Sequence, residues 1–384
     1  MAGKTIIVLG GGVGGLVTAS ELRKRLSRRH RVVLIDRSDK HVFWPSLLWL
    51  QVGLRKPNDL VRDLARLNRK GIEVVNGQVT AIDPERRSVQ VAGDEMTADY
   101  LVVSLGAELA PEQAPGLEQA GHNLYSLAGA TAIRDARVGL TQGALAVVVA
   151  KLPFKCPAAP YEAAMLLDHD LRKRKVRERV TVALYSPEPG PMGVTGPVLS
   201  AAVRGLLEQR QIAYHPKHEL SEVDAGGKRL RFANGAEAAY DFLVYIPPHV
   251  APPAVRDAGL VGDSGWVTVD RHTMETSFSG VYAIGDVTGI PLSMGLPLPK
   301  AGVFAHRQGQ AVARRIAAQV AGKDAQAVFD GHGECFIEVG GGRAGMGHGD
   351  FYGEPTPQVR LREPSRLWHM GKVFFEKRWL WKWF

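Results

Sequence analysis

Thr5-Ile6-Ile7-Val8-Leu9-Gly10-Gly11-Gly12-Val13-Gly14-Gly15 is the stretch on which the fold turns. Its first five residues, apolar and mostly β-branched, read as a buried parallel strand. Three spaced glycines, Gly10, Gly12 and Gly15, lead into a segment from Leu16 to Leu26 with helical periodicity. A second strand, Arg31 to Ile35, closes on Asp36, 21 residues beyond Gly15. Strand, glycine turn, helix, strand and acid in that order predict a dinucleotide-binding βαβ unit. The helix start offers free N–H groups and a positive dipole end to a pyrophosphate, and the acid can accept from a ribose hydroxyl.

Two later strands repeat the theme. Asp99-Tyr100-Leu101-Val102-Val103-Ser104-Leu105-Gly106 closes on a glycine, and Gly280-Val281-Tyr282-Ala283-Ile284-Gly285-Asp286 closes on Gly-Asp. Ligands gather at the carboxyl ends of such strands. Residues Gly71 to Val91 alternate as short strands, and Ala301 to Val320 reads as a long helix. The expected fold class is therefore α/β, with two Rossmann-like dinucleotide-binding domains and a C-terminal membrane-interface segment. The first domain is discontinuous, residues 1–106 and 255–325. The second spans 107–254, and the C-terminal segment 326–384.

The second domain departs from the pattern after its strand Ala144 to Ala150. A nicotinamide-binding domain would open a glycine loop there; this chain reads Phe154-Lys155-Cys156-Pro157-Ala158-Ala159-Pro160-Tyr161-Glu162. A thiol stands where a coenzyme phosphate would be cradled. Lys155 beside it and a helix start at Pro160-Tyr161-Glu162 both favour the thiolate. The one other cysteine is Cys335. Two cysteines make neither a disulfide scaffold nor a four-ligand zinc site. His169, His215 and His218 lack ligand spacing, so no metal is expected.

A chain of 384 residues, 45% hydrophobic and 23% charged, is long enough for two or three well-buried domains. The net charge of +9 comes from dispersed basic residues, which argues against a nucleic-acid partner. No signal peptide or twin-arginine segment precedes Ile6 and no window of about 18 residues is apolar throughout, so the expectation is a cytoplasmic protein with no membrane span. The tail is unlike the rest. Four of the seven tryptophans lie between Trp368 and Trp383, among Phe374, Phe375, Phe384, Lys372, Lys377, Arg378 and Lys382. On a helix, His369, Lys372 and Glu376 share one face while the remaining surface is mostly aromatic or aliphatic, which predicts a segment lying in a lipid headgroup layer.

These blocks resemble, nearly end to end, the sulfide:quinone oxidoreductase and flavocytochrome c sulfide dehydrogenase branch of the FAD-dependent pyridine nucleotide-disulfide oxidoreductases. The resemblance is carried by the glycine motif, Phe154 to Glu162, Gly280 to Asp286, Leu298-Pro299-Lys300-Ala301-Gly302 and Gly371-Lys372-Val373-Phe374-Phe375-Glu376-Lys377. The cysteine block is its specific part. It implies that Cys156 and Cys335 form a redox-active pair flanking the flavin ring, that Glu162 shuttles protons, and that Lys300 places a cation near the flavin pyrimidine. The FAD contacts would be Gly10, Gly12, Gly15, Asp36, Gly106, Gly285, Asp286 and Lys300, with Phe336, Phe351 and Trp368 as candidates for an apolar quinone slot. Relatives that attach FAD covalently use a cysteine near position 42 or 124. This chain has His41-Val42-Phe43-Trp44-Pro45 and Leu124, so noncovalent FAD is expected. Ala301 stands where the family usually has threonine.

The implied activity is oxidation of sulfide to sulfur or polysulfide with reduction of a membrane quinone. The enzyme would sit peripherally on the cytoplasmic side of the cell membrane, against the bilayer surface through its tail, with room for a homo-oligomer. One alternative is the flavoprotein subunit of a sulfide:cytochrome c dehydrogenase, disfavoured by the missing export signal and flavin-linking cysteine. A type II NADH:quinone reductase would need the absent second glycine loop. A redox-sensing or structural flavoprotein would reduce once and not cycle.

Overall fold

The computed structural model describes residues 3–384. Thr5–Leu9 is the central strand of a five-stranded parallel sheet, between Tyr100–Val103 and Arg31–Asp36, with Val281–Ala283 and Glu73–Asn76 at the edges. Its side chains alternate between two cores. Ile6 and Val8 pack with the helices Val13–Arg25 and Gly302–Val320, through residues such as Leu16 and Val312. Ile7 and Leu9 pack with a small antiparallel sheet of Val79–Asp83, Ser88–Val91 and Asp94–Thr97. Both faces being covered, the strand can be apolar throughout.

The second parallel sheet has the order His122–Asn123, Phe242–Ile246, Gly143–Val149, Val180–Tyr185, Ala213–His215. The same device recurs in it. Leu145 and Val147 face the helix Ala159–Lys173, while Ala146 and Val148 face the small sheet Leu220–Asp224, Arg229–Phe232 and Glu237–Ala239. The chain passes between the two sheets as a ribbon in which Glu108–Leu109 pairs antiparallel with His249–Val250.

A third unit was not legible beforehand: an antiparallel sheet of His332–Gly340, Arg343–Asp350 and Gln358–Ser365. Its frequent glycines blur the two-residue alternation that marks a strand. It leans on the helix Ala159–Lys173 and hands over to the helix Arg366–Lys382. Ser365 caps that helix, its hydroxyl accepting from the Trp368 N–H at 3.3 Å.

No helix among the described residues is long and apolar enough to cross a membrane. The polar face of the C-terminal helix is the one turned inward, with Lys372 and Glu376 buried. Ser46 Oγ donates to Glu376 at 2.6 Å, and Arg55 grips the same carboxylate at 2.9 and 2.7 Å. The opposite face presents Leu367, Met370, Phe374 and Trp381, which are 72%, 61%, 66% and 78% exposed. Two ionic groups thus join Trp379 and Leu380 in holding the helix to the protein, while a hydrocarbon stripe faces out between Arg366, Lys377 and Arg378.

Candidate functional site

A cavity of about 930 Å³ runs from the glycine turn of the first sheet to the Cys156 loop of the second domain. Gly10, Gly12, Asp36, Gly106, Gly285, Asp286, Lys300 and Cys156 all border it. Gly15 does not. A Cβ at Gly15 would lie 1.8 Å from the Gly10 carbonyl oxygen, so this glycine lets helix and strand approach closely. At Gly12 a Cβ would meet nothing within 4 Å, leaving a backbone cradle open to a ligand.

The polar groups around the cavity suit FAD. Asp36 accepts the Gly11 N–H at 2.5 Å and the Ser38 N–H at 2.7 Å, one on each carboxylate oxygen, with acceptor capacity to spare for a hydroxyl. Asp286 is half-buried, and its Oδ1, shut off from solvent, has no partner among the described residues, which is the environment a ribityl hydroxyl or ring N–H would satisfy. Burial raises the Asp286 pKa, with Lys155 and Lys300 opposing. Lys300 is buried: Nζ donates to the carbonyls of Asp286 at 2.7 Å and Thr288 at 3.0 Å and lies 3.3 Å over the Trp266 ring. Burial brings its pKa down to about 7, against the pull of Asp286. Its charge can therefore change near neutrality as the charge across the cavity changes.

Behind Cys156 lies a second chamber of about 50 Å³, walled by Met192, Leu199, Phe304, Phe351 and Val359 and bordered by both Cys156 and Cys335. The fold thus brings two thiols, 179 positions apart in sequence, to one apolar space. Both are free and half-buried. Cys156 takes a left-handed backbone (φ +52°), costing about 1–2 kcal/mol for a residue with a Cβ. Its N–H donates to the Lys300 carbonyl at 2.6 Å, and the Tyr125 hydroxyl donates to the Lys155 carbonyl at 2.7 Å, which hold the turn.

The expected thiolate at Cys156 is not what this environment favours. Burial, then Cys335 and Glu162, push the Cys156 thiol well above its usual range, with Lys372 only partly opposing. Burial, then Glu162, push Cys335 up to about 12. The Lys155 ammonium sits over the rings of Trp44 and Tyr125, 4.9 and 5.9 Å from their centroids. The apolar walls outweigh the neighbouring cation.

Glu162 is buried in the first turn of Ala159–Lys173 and borders neither space. Oε1 accepts Lys372 Nζ at 2.9 Å and the Glu338 N–H at 2.8 Å, while Glu338 meets His369 Nδ1 at 3.0 Å. A buried ionic cluster therefore links the cysteine helix, the third sheet and the C-terminal helix.

Phe336, Phe351 and Trp368 do not share a slot. Phe351 lines the small chamber and packs on Phe304, ring centroids 4.9 Å apart. Phe336 lies near Phe375, with centroids 6.4 Å apart, and Trp368 faces the Arg362 guanidinium at 5.4 Å. Side chains alternate along a strand, so Cys335 and Ile337 take the chamber and Phe336 and Glu338 the other side. The apolar wall of the large cavity is instead Trp44, Pro45, Leu47 and Leu48. Its signal was the apolar run from Val42 to Leu50, read only for its lack of cysteine.

Residues 4–309 match the family model described as pyridine nucleotide-disulphide oxidoreductase. The chain is 28% identical over 397 residues to the sulfide-quinone reductase of Aquifex aeolicus, covering 99% of this chain and 91% of that protein. It is 23% identical over 364 residues to the mitochondrial sulfide:quinone oxidoreductase of Mus musculus, covering 91% and 79%. The crystal structure of the Aquifex aeolicus sulfide:quinone oxidoreductase superposes with a TM-score of 0.88 at 26% identity, over 99% of this chain and 91% of that one.

Proposed function

The chain belongs to the pyridine nucleotide-disulphide oxidoreductase family, and on that premise we propose that it oxidises sulfide at Cys156 and Cys335 and delivers the electrons to a membrane quinone. It is an FAD-dependent oxidoreductase. The observation that carries the finer reading is the shared chamber: Cys156 and Cys335 border it together, and Cys156 alone also borders the flavin-sized cavity.

With the pair oxidised, hydrosulfide attacks one sulfur and the S–S bond breaks, leaving a persulfide and a thiolate. Joining these two into a bridge one sulfur longer releases two electrons and a proton. FAD, when bound, supplies the two-electron acceptor and the link to quinone. Apolar side chains wall the chamber. Lys300, beside the cavity, holds a proton it can retain or release near pH 7. Anaerobic titration of purified enzyme with sulfide tests this: the flavin absorbance should bleach and return on adding decylubiquinone. A flavin indifferent to sulfide overturns the reading.

A nicotinamide-linked reading is disfavoured by side chains as well as by the missing glycine loop. Glu188, just past the strand Val180–Tyr185 where a coenzyme ribose would be held, accepts the Tyr161 hydroxyl at 2.5 Å and is buried. Burial brings it up to about 7.

The outward face of the C-terminal helix supports a lipid surface as its partner, since exposed Lys377 and Arg378 flank Phe374 and Trp381. Phe374→Glu with Trp381→Glu should weaken binding to anionic phospholipid vesicles at least about tenfold in a sedimentation assay. Soluble turnover with a short-chain quinone should persist. Unchanged sedimentation would sink the lipid assignment.

A further inference from the structure

The inner face of the C-terminal helix reaches the glycine turn of the first sheet through one histidine. Trp379 Nε1 donates to His41 Nε2 at 3.1 Å, and His41 Nδ1 lies 2.9 Å from the Gly11 carbonyl oxygen. His41 is buried, stacked on Trp379 and tilted against Phe384. The helix end is held there by Arg62, which donates to the Leu380 carbonyl at 3.3 Å, and Lys70, which donates to the Lys382 carbonyl at 3.2 Å.

This contact defines where the imidazole proton sits. An indole N–H only donates, so Nε2 of His41 must accept and carry no hydrogen. A neutral ring then has its proton on Nδ1, which donates to Gly11. The other tautomer would oppose two N–H groups at Nε2 and turn a lone pair toward the carbonyl. Burial, with the Gly11 carbonyl opposing, lowers the His41 pKa to about 4, so the ring stays neutral at physiological pH.

Gly11 is pinned from both ends, its N–H on Asp36 and its carbonyl on His41. Across a trans peptide the N–H of the next residue points opposite to the carbonyl. Fixing the Gly11 carbonyl therefore fixes the direction of the Gly12 N–H, at the residue whose cradle is open to the cavity. That N–H is one of the donors a pyrophosphate would take.

We infer that Trp379 is a positioning residue for FAD: by locking the tautomer of His41 it anchors the Gly11–Gly12 peptide that meets the cofactor's phosphates. The helix that turns hydrocarbon outward thereby also sets the affinity of the flavin. The inference needs only the flavin and is independent of sulfide or quinone.

The test is FAD retention, followed by the fluorescence of flavin released on dilution of the holoenzyme. Trp379→Phe keeps the aromatic bulk and removes the donor, and should raise the dissociation constant for FAD roughly three- to tenfold, the span of one net hydrogen bond. Trp383→Phe removes an indole that packs on Trp379, ring centroids 5.6 Å apart, but gives no hydrogen bond to His41, and should change it less than about twofold. His41→Asn places an amide N–H near the position of Nδ1 that no tautomer can withdraw, so it should retain FAD nearly as wild type does. In the His41→Asn background Trp379→Phe should cost nothing more. Equal loss from Trp379→Phe in both backgrounds, equal loss from Trp383→Phe, or no loss in a folded Trp379→Phe protein would overturn the inference. A measurement on the wild-type holoenzyme guards against a variant that fails to fold: ring ¹⁵N shifts of His41 should report protonation at Nδ1, and protonation at Nε2 overturns it.

Discussion

Cys156→Ser should slow reduction of the flavin by sulfide by roughly a thousandfold or more, the scale seen when a covalent nucleophile is removed. A hydroxyl cannot enter the sulfur bridge, so hydrosulfide would find no S–S bond to attack. Cys335→Ser should be as severe although Cys335 does not border the large cavity, because the bridge needs both ends. The double variant should be little worse than either single one, since the two sulfurs act as a unit. FAD content should be unchanged, because the phosphate end of the cavity lies on the first sheet. Stopped-flow bleaching at 450 nm or thereabouts reads all three, and a Cys156→Ser enzyme within tenfold of wild type would refute the pair.

Lys372→Met should cost about 3–5 kcal/mol of folding stability, the usual penalty for stranding one member of a buried ion pair. Its partner Glu162 is almost wholly buried and would keep only the Glu338 N–H. Burial would lower the pKa of Lys372, yet Glu162 and Glu338 beside it prevail and hold it above the ordinary lysine value of 10.5. A raised cation stabilises fully below its unfolded pKa and loses that contribution as pH climbs through the folded one. The penalty measured by urea unfolding should therefore be the same at pH 6 and pH 9, and shrink only above about 10.5. Adding Glu162→Gln should recover part of the loss by removing the stranded carboxyl group. A loss under about 1 kcal/mol would show that the cluster is better solvated than its burial indicates.

What could be read from the sequence was whatever chemistry is local. Thr5 to Asp36 declares its sheet and helix by periodicity and glycine spacing, and Cys156 declares itself by standing where a phosphate loop belongs. The chamber was not legible, because Met192, Leu199 and Val359 are ordinary apolar residues until three separate segments converge. The protonated thiols were missed for the same reason: Lys155 is adjacent in sequence but its ammonium is drawn to Trp44 and Tyr125. The tail showed its aromatic content and its polar face, but not which side would turn inward. That depended on Arg55, Ser46 and Glu162, partners hundreds of positions away.

Cys156 fronts two rooms and Cys335 only the rear one. On the proposed chemistry, matter and charge would depart from a single residue in opposite directions, sulfur atoms backward and electrons forward. Cargo would then accumulate behind the doorway without crowding the space in which the next acceptor docks. Throughput would then stay level over successive rounds and stop abruptly when the rear room is full, giving the enzyme a built-in count of how much it carries before it must unload.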